Sequence, residues 1–154
     1  MMHNTLSYVE DVKITKSEIA RVQLVQAIEL FVSENFLPSI TLAGAAEEIL
    51  GRMIAMQGDV SVIGQAVSEM QRIREITGLS VMGDKSKNEI FNEWNSAKNN
   101  LKHHNSSDGE FIVLNLFDEA YWMIKRALFN ANLLSVHIRN QNDFENWVIM
   151  HINM

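Results

Sequence analysis

Thr15-Lys16-Ser17-Glu18-Ile19-Ala20-Arg21-Val22-Gln23-Leu24-Val25-Gln26-Ala27-Ile28-Glu29-Leu30-Phe31-Val32 decides the fold class. Thr15-x-x-Glu18 has the spacing of a capping box, in which hydroxyl and carboxylate satisfy the free amides of a helix start. Ile19, Val22, Val25, Ala27, Ile28, Phe31 and Val32 then recur at helical, not strand, intervals. This predicts a first helix over 16–34. Working outward, Pro38 suits a first helical position and Gly58 a stop, giving a second helix over 38–56. Asp59 can cap a third helix and Gly78 can end it. Ser86-x-x-Glu89 repeats the capping spacing and opens a fourth, carried to His104 before the polar run Asn105-Ser106-Ser107-Asp108-Gly109. A fifth covers 117–135 and a sixth 142–152. The expectation is an all-α bundle of about six helices in a single domain spanning 1–154, with 1–14 as an extended N-terminal segment. Glu110 to Leu114 and Ser7 to Val12 carry β-branched residues that suit a short extended ribbon.

Composition narrows the function classes. The chain has 154 residues, 47% of them hydrophobic, enough to bury one substantial core. Its formal charge of −6 opposes indiscriminate nucleic-acid binding, so any contact with phosphate needs a local basic patch. With no cysteine there are no thiolate nucleophiles, thiolate metal sites or disulfides, which fits a cytoplasmic setting. No run reaches the roughly 18 apolar residues of a membrane span. P-loop, dinucleotide-binding, zincin and nucleophile-elbow patterns are absent, as is the Glu-x-x-His spacing of ferritin-like metal sites. No cofactor is called for.

Chemistry concentrates in Lys98-Asn99-Asn100-Leu101-Lys102-His103-His104. On one helix, Ile90, Trp94, Ala97 and Leu101 form a core stripe, with Asn92, Asn95, Asn99 and His103 roughly opposite. Five Asn between 88 and 100 cost helical stability that Glu or Lys would supply, which hints at a use. A solvated polar face explains the same residues with no chemistry at all. His103 can exchange a proton with a ribose 2′-hydroxyl or a leaving oxygen, while Lys98 and Lys102 neutralise phosphate and Asn99 orients the imidazole or the ribose. His104 continues the core stripe and is expected at its rim. Adjacent histidines on a helix point about 100° apart, which disfavours a shared metal ion. In the second helix, small residues at 43–46 permit close approach of a neighbour. Glu48 and Arg52 suit a surface ion pair, whereas Glu47 falls at the edge of the apolar arc and calls for a partner on another helix, the fourth first. Phe144, Trp147, Val148, His151 and Ile152 form a stripe that closes the core or joins a partner chain.

Lys98-Asn99 with His103 resembles the reactive segment of the HEPN superfamily, whose active members carry Arg, a polar residue and then His. Thr41-Leu42-Ala43-Gly44-Ala45-Ala46, together with Asn99, Lys102 and His103, is also similar to a group of uncharacterised bacterial proteins. The resemblance implies a HEPN-like helical bundle and a homodimer. Its active members are metal-independent ribonucleases of toxin and defence systems, which would make RNA the substrate and an antitoxin or other protein the partner, with Glu47 and His104 in support. Other members are non-catalytic binding modules. Lys98 in place of Arg weighs toward these, since an ammonium cannot make the bidentate phosphate contact of a guanidinium.

Overall fold

The computed structural model describes residues 10–58, 62–77, 86–104 and 109–152. Among these the chain forms helices α1 (Lys16–Val32), α2 (Phe36–Met56), α3 (Val62–Thr77), α4 (Lys87–Trp94), α5 (Ser96–Lys102), α6 (Leu116–Leu133) and α7 (Gln141–Ile152), with no strand. The all-α expectation therefore holds. Of the expected ribbon, residues 10–12 and 110–114 carry no strand, and residues 7–9 lie outside the described residues. So do Asp59 and Gly78. No described helix is long and apolar enough to cross a membrane.

Three of the expected helix signals act as read. The Thr15 hydroxyl accepts from the Glu18 amide at 3.1 Å, and the Ser86 hydroxyl accepts from the Glu89 amide at 3.2 Å. Gly58, at φ 80°, follows the end of α2. Pro38 differs in place, because α2 begins at Phe36. It still lies in the first turn, where its missing N–H forfeits no intrahelical bond. α6 starts at Leu116, its cap supplied by Asn115, whose side chain accepts from the Asp118 amide at 3.0 Å.

The core lies where α1, α2 and α6 meet. Ala20, Leu24, Ala27, Ile28 and Phe31 bury one face of α1, and Val22, half exposed, stays outside it. α2 adds Ile40, Ala43, Ala46 and Leu50, and α6 adds Ala120, Met123, Ile124, Ala127 and Ala131. The alanines on all three helices leave little bulk between axes, so backbones approach closely. The Ser39 hydroxyl uses that proximity to donate to the Ala27 carbonyl at 2.7 Å. α7 is seated by aromatic contacts: Phe31 meets Phe144 and Trp147 edge-on with ring centres 5.0 and 4.9 Å apart. Such pairs add about 0.5–1.5 kcal/mol each beyond the area they bury. Phe144, Trp147 and Val148 of the expected stripe thus close the core, while His151 and Ile152 stay exposed, and the Asn140 side-chain amide fixes the approach of α7 by donating to the Val25 carbonyl at 2.9 Å.

The largest departure is in the expected fourth helix. It is two helices, α4 and α5, joined at Asn95 (φ −101°, ψ 0°). The Asn95 side chain does not cap α5. Its amide oxygen instead accepts from Arg126 on α6 at 2.8 Å, and the same guanidinium donates to the Trp94 carbonyl at 3.2 Å. The second bond compensates the Trp94 carbonyl, which a continuous helix would have paired internally. α5 ends at Lys102, and His103 is already extended (φ −127°, ψ 146°). Neither His103 nor His104 therefore lies on a helix face, and His104 is exposed, not set into the rim of the core.

Candidate functional site

Glu47 organises one side of the bundle. Its place on the buried arc of α2 leaves it only 4% exposed, and a carboxylate so buried needs cationic donors. Arg126 supplies one, 3.0 Å from one oxygen. Lys98 on α5 supplies the other at 3.4 Å. The expectation that Glu47 finds its partner on the segment then read as helix four is met by Lys98. Asn130 adds a long hydrogen bond, 3.5 Å, to the Glu47 backbone carbonyl.

Gly44, one turn before Glu47, explains how Lys98 gets there. A β-carbon at position 44 would stand 2.6 Å from both Cγ and Cδ of Lys98. The small-residue run on α2 is thus a seat for a lysine stem, with the stem laid on bare backbone and its head on Glu47. Lys98 is 5% exposed.

One residue along, Glu48 faces outward and collects cations. Arg52 lies 2.9 Å from one of its oxygens, while Lys102 and Lys98 lie 3.3 and 3.9 Å from the other. Burial pushes the Glu48 carboxyl up, but the Lys102 hydrogen bond and the charges of Lys98, Lys102 and Arg52 outweigh it and hold the group below the usual carboxylate range.

Beyond Lys102 the chain leaves the helix and borders an open cleft of about 570 Å³. It is lined by Asn100, Leu101, Lys102, His103 and His104 and by Gly109, Glu110, Phe111 and Ile112. Lys102, His103 and His104 therefore line a cleft of the size that binds small molecules, roughly 300–1,000 Å³, with the Lys102 ammonium held by Glu48. Of the residues singled out from the sequence, Lys102, His103 and His104 come together here. Lys98 and Asn99 do not line the cleft: Lys98 is held by Glu47, and Asn99 is exposed, its backbone carbonyl accepting from the His103 amide at 3.1 Å. Among the described residues no group of three His, Asp or Glu stands ready to hold a metal ion.

Arg126 and Phe111 escaped the sequence reading. Arg126 lies beside buried Ala127 and one turn before buried Asn130, a signal that a cation there must be satisfied from within. Phe111 looked like strand. No protein-family model matches the chain, and neither a curated protein nor a solved structure shows significant similarity to it.

Proposed function

We propose that this protein is a metal-independent endoribonuclease of HEPN-like character, acting in the cleft at the end of α5. The observation that carries this reading is the presence of His103, His104 and Lys102 in the lining of one open cleft. Two imidazoles and an ammonium suffice for transfer within a phosphodiester. One imidazole takes the proton of the ribose 2′-hydroxyl as that oxygen bonds to phosphorus. The other gives its proton to the 5′-oxygen as the P–O bond breaks, leaving a 2′,3′-cyclic phosphate and a 5′-hydroxyl. Lys102, on leaving the Glu48 carboxylate that holds it at 3.3 Å, stabilises the charge that accumulates on the phosphoryl oxygens. Lys98 and Glu47 act indirectly, anchoring α5 so that its end is fixed. The toxin or defence role, the cytoplasmic setting and an antitoxin partner belong to the same reading. So does a homodimer that brings two α5 ends, with Asn99, to a shared cleft.

A second reading, a non-catalytic partner module, is favoured by Lys98: the one cation at the superfamily's Arg position is buried against a carboxylate. Cleavage assays on purified protein separate the two. General acid–base groups contribute about 10²–10⁴ in rate, so His103→Ala and His104→Ala should each lower kcat/KM by at least about 100-fold. Both side chains are exposed, so the melting temperature should be preserved. A signal equal to background for wild type and variants across several RNAs leaves the partner module.

A further inference from the structure

We infer that Glu48 is an autoinhibitory counter-ion: its carboxylate occupies the Lys102 ammonium, and a phosphate entering the cleft must displace it. This rests on the reading of the cleft as a phosphate site but not on cleavage. Lys102 belongs to two surroundings. It lines the cleft with His103 and His104, and its ammonium lies 3.3 Å from one oxygen of Glu48. Both side chains are partly open to solvent, Lys102 at 28% and Glu48 at 37%, so water screens the contact and it holds weakly. The Lys98–Glu47 pair, one turn back along α5, is 6% exposed on both sides. The anchor of α5 is therefore that buried pair, and Lys102 is left free to exchange partners.

Glu48 can release Lys102 without stranding its own charge. Arg52 stays on the other carboxylate oxygen at 2.9 Å, and Lys98 stands 3.9 Å from the oxygen that Lys102 leaves. Two cations thus remain when the third departs. Against the upward push of burial, the Lys102 hydrogen bond and the charges of Lys98, Lys102 and Arg52 hold the Glu48 carboxyl below its usual range, so at neutral pH it is an ionised competitor for the ammonium. Among the described residues Glu48 is the one carboxylate within ion-pair distance of Lys102. Glu110 also lines the cleft and opposes an anion there through its charge alone, without holding Lys102. A ligand that brings a phosphate oxygen can replace the carboxylate on Lys102, whereas a neutral ligand leaves the pair closed.

The test is affinity for inorganic phosphate, read from the amide shifts of Lys102 and His103 in magnetic resonance titrations. Partly exposed ion pairs shift an equilibrium by a few-fold, so Glu48→Gln should tighten phosphate binding by about 2- to 5-fold. That gain should vanish in a Lys102→Gln background, where no ammonium is left to release. Glu110→Gln removes the same charge from the cleft without touching Lys102, so its gain should persist in that background. Lys98 stays on Glu47 in every variant, and all should melt close to wild type. The inference is overturned if neither wild type nor Glu48→Gln binds phosphate, if Glu48→Gln leaves the affinity unchanged or lowers it, or if its gain survives Lys102→Gln. Lys102-dependent tightening with no cleavage of RNA by wild type or Glu48→Gln would remove the nuclease reading and keep this one. Cleavage with a KM and a phosphate affinity that Glu48→Gln does not change would do the reverse.

Discussion

At the scale of single residues, the candidate site is a lesson in which side chains announce their environment. Glu47 was legible because a carboxylate at the edge of an apolar arc has one inexpensive solution, a buried partner. The partner's route was not legible: nothing local to Gly44 says that the stem of Lys98, on a distant helix, will lie across it. Gly44→Ala tests that contact against helix propensity. In an exposed helix interior Ala should stabilise by about 0.8–1.0 kcal/mol. Here the new carbon would stand 2.6 Å from the Lys98 stem, which is confined by burial, and overpacking of this kind costs about 1–3 kcal/mol. Urea titration should therefore show net destabilisation by Gly44→Ala, and that penalty should disappear in a Lys98→Ala background, where the seat is empty.

At the scale of elements, starts were easier to read than ends. Capping hydroxyls and amides are chemical signals, and Thr15 and Ser86 gave them. The ends expected at 34 and 135 fall instead at Val32 and Leu133. Each helix closes with a residue in the left-handed region, Glu34 at φ 61° and Ser135 at φ 57°. The Asn35 amide then reaches the Leu30 carbonyl at 2.8 Å, and the Val136 amide reaches Ala131 at the same distance. Glycine would have advertised both turns, as Gly58 does for α2. Glu and Ser conceal them at a conformational cost of about 1–2 kcal/mol. Ser135→Gly should recover roughly 1 kcal/mol of it, raising the melting temperature by about 2–4 °C. An unchanged or lower value in calorimetry would show that the Ser side chain stabilises the turn. The break at Asn95 was illegible for a different reason: capping and periodicity allow one helix over 86–104, and only Arg126, from α6, imposes the joint.

At the scale of the whole molecule, the bundle is two regions of unequal depth. Periodicity exposed the first, since α1, α2 and α6 each bury a continuous face in the common core and α7 is pinned to it by Phe144 and Trp147. The polar segments resisted reading because their positions depend on ion pairs between distant residues. α4 touches this core little, and beyond Arg126 its junction with α5 holds few ties to it. The joint at Asn95 therefore separates two mechanical fates. α5 is bolted to α2 through Lys98, whereas α3 and α4 are tied to the deep region chiefly where α3 meets α6. In native-state hydrogen exchange the amides of α3 and α4 should show small opening free energies with little denaturant dependence, while those of α1, α2 and α6 should exchange only through global unfolding. The cleft wall carried by the end of α5 would then keep its shape while its sequence neighbour breathes, a foldon boundary set by one guanidinium.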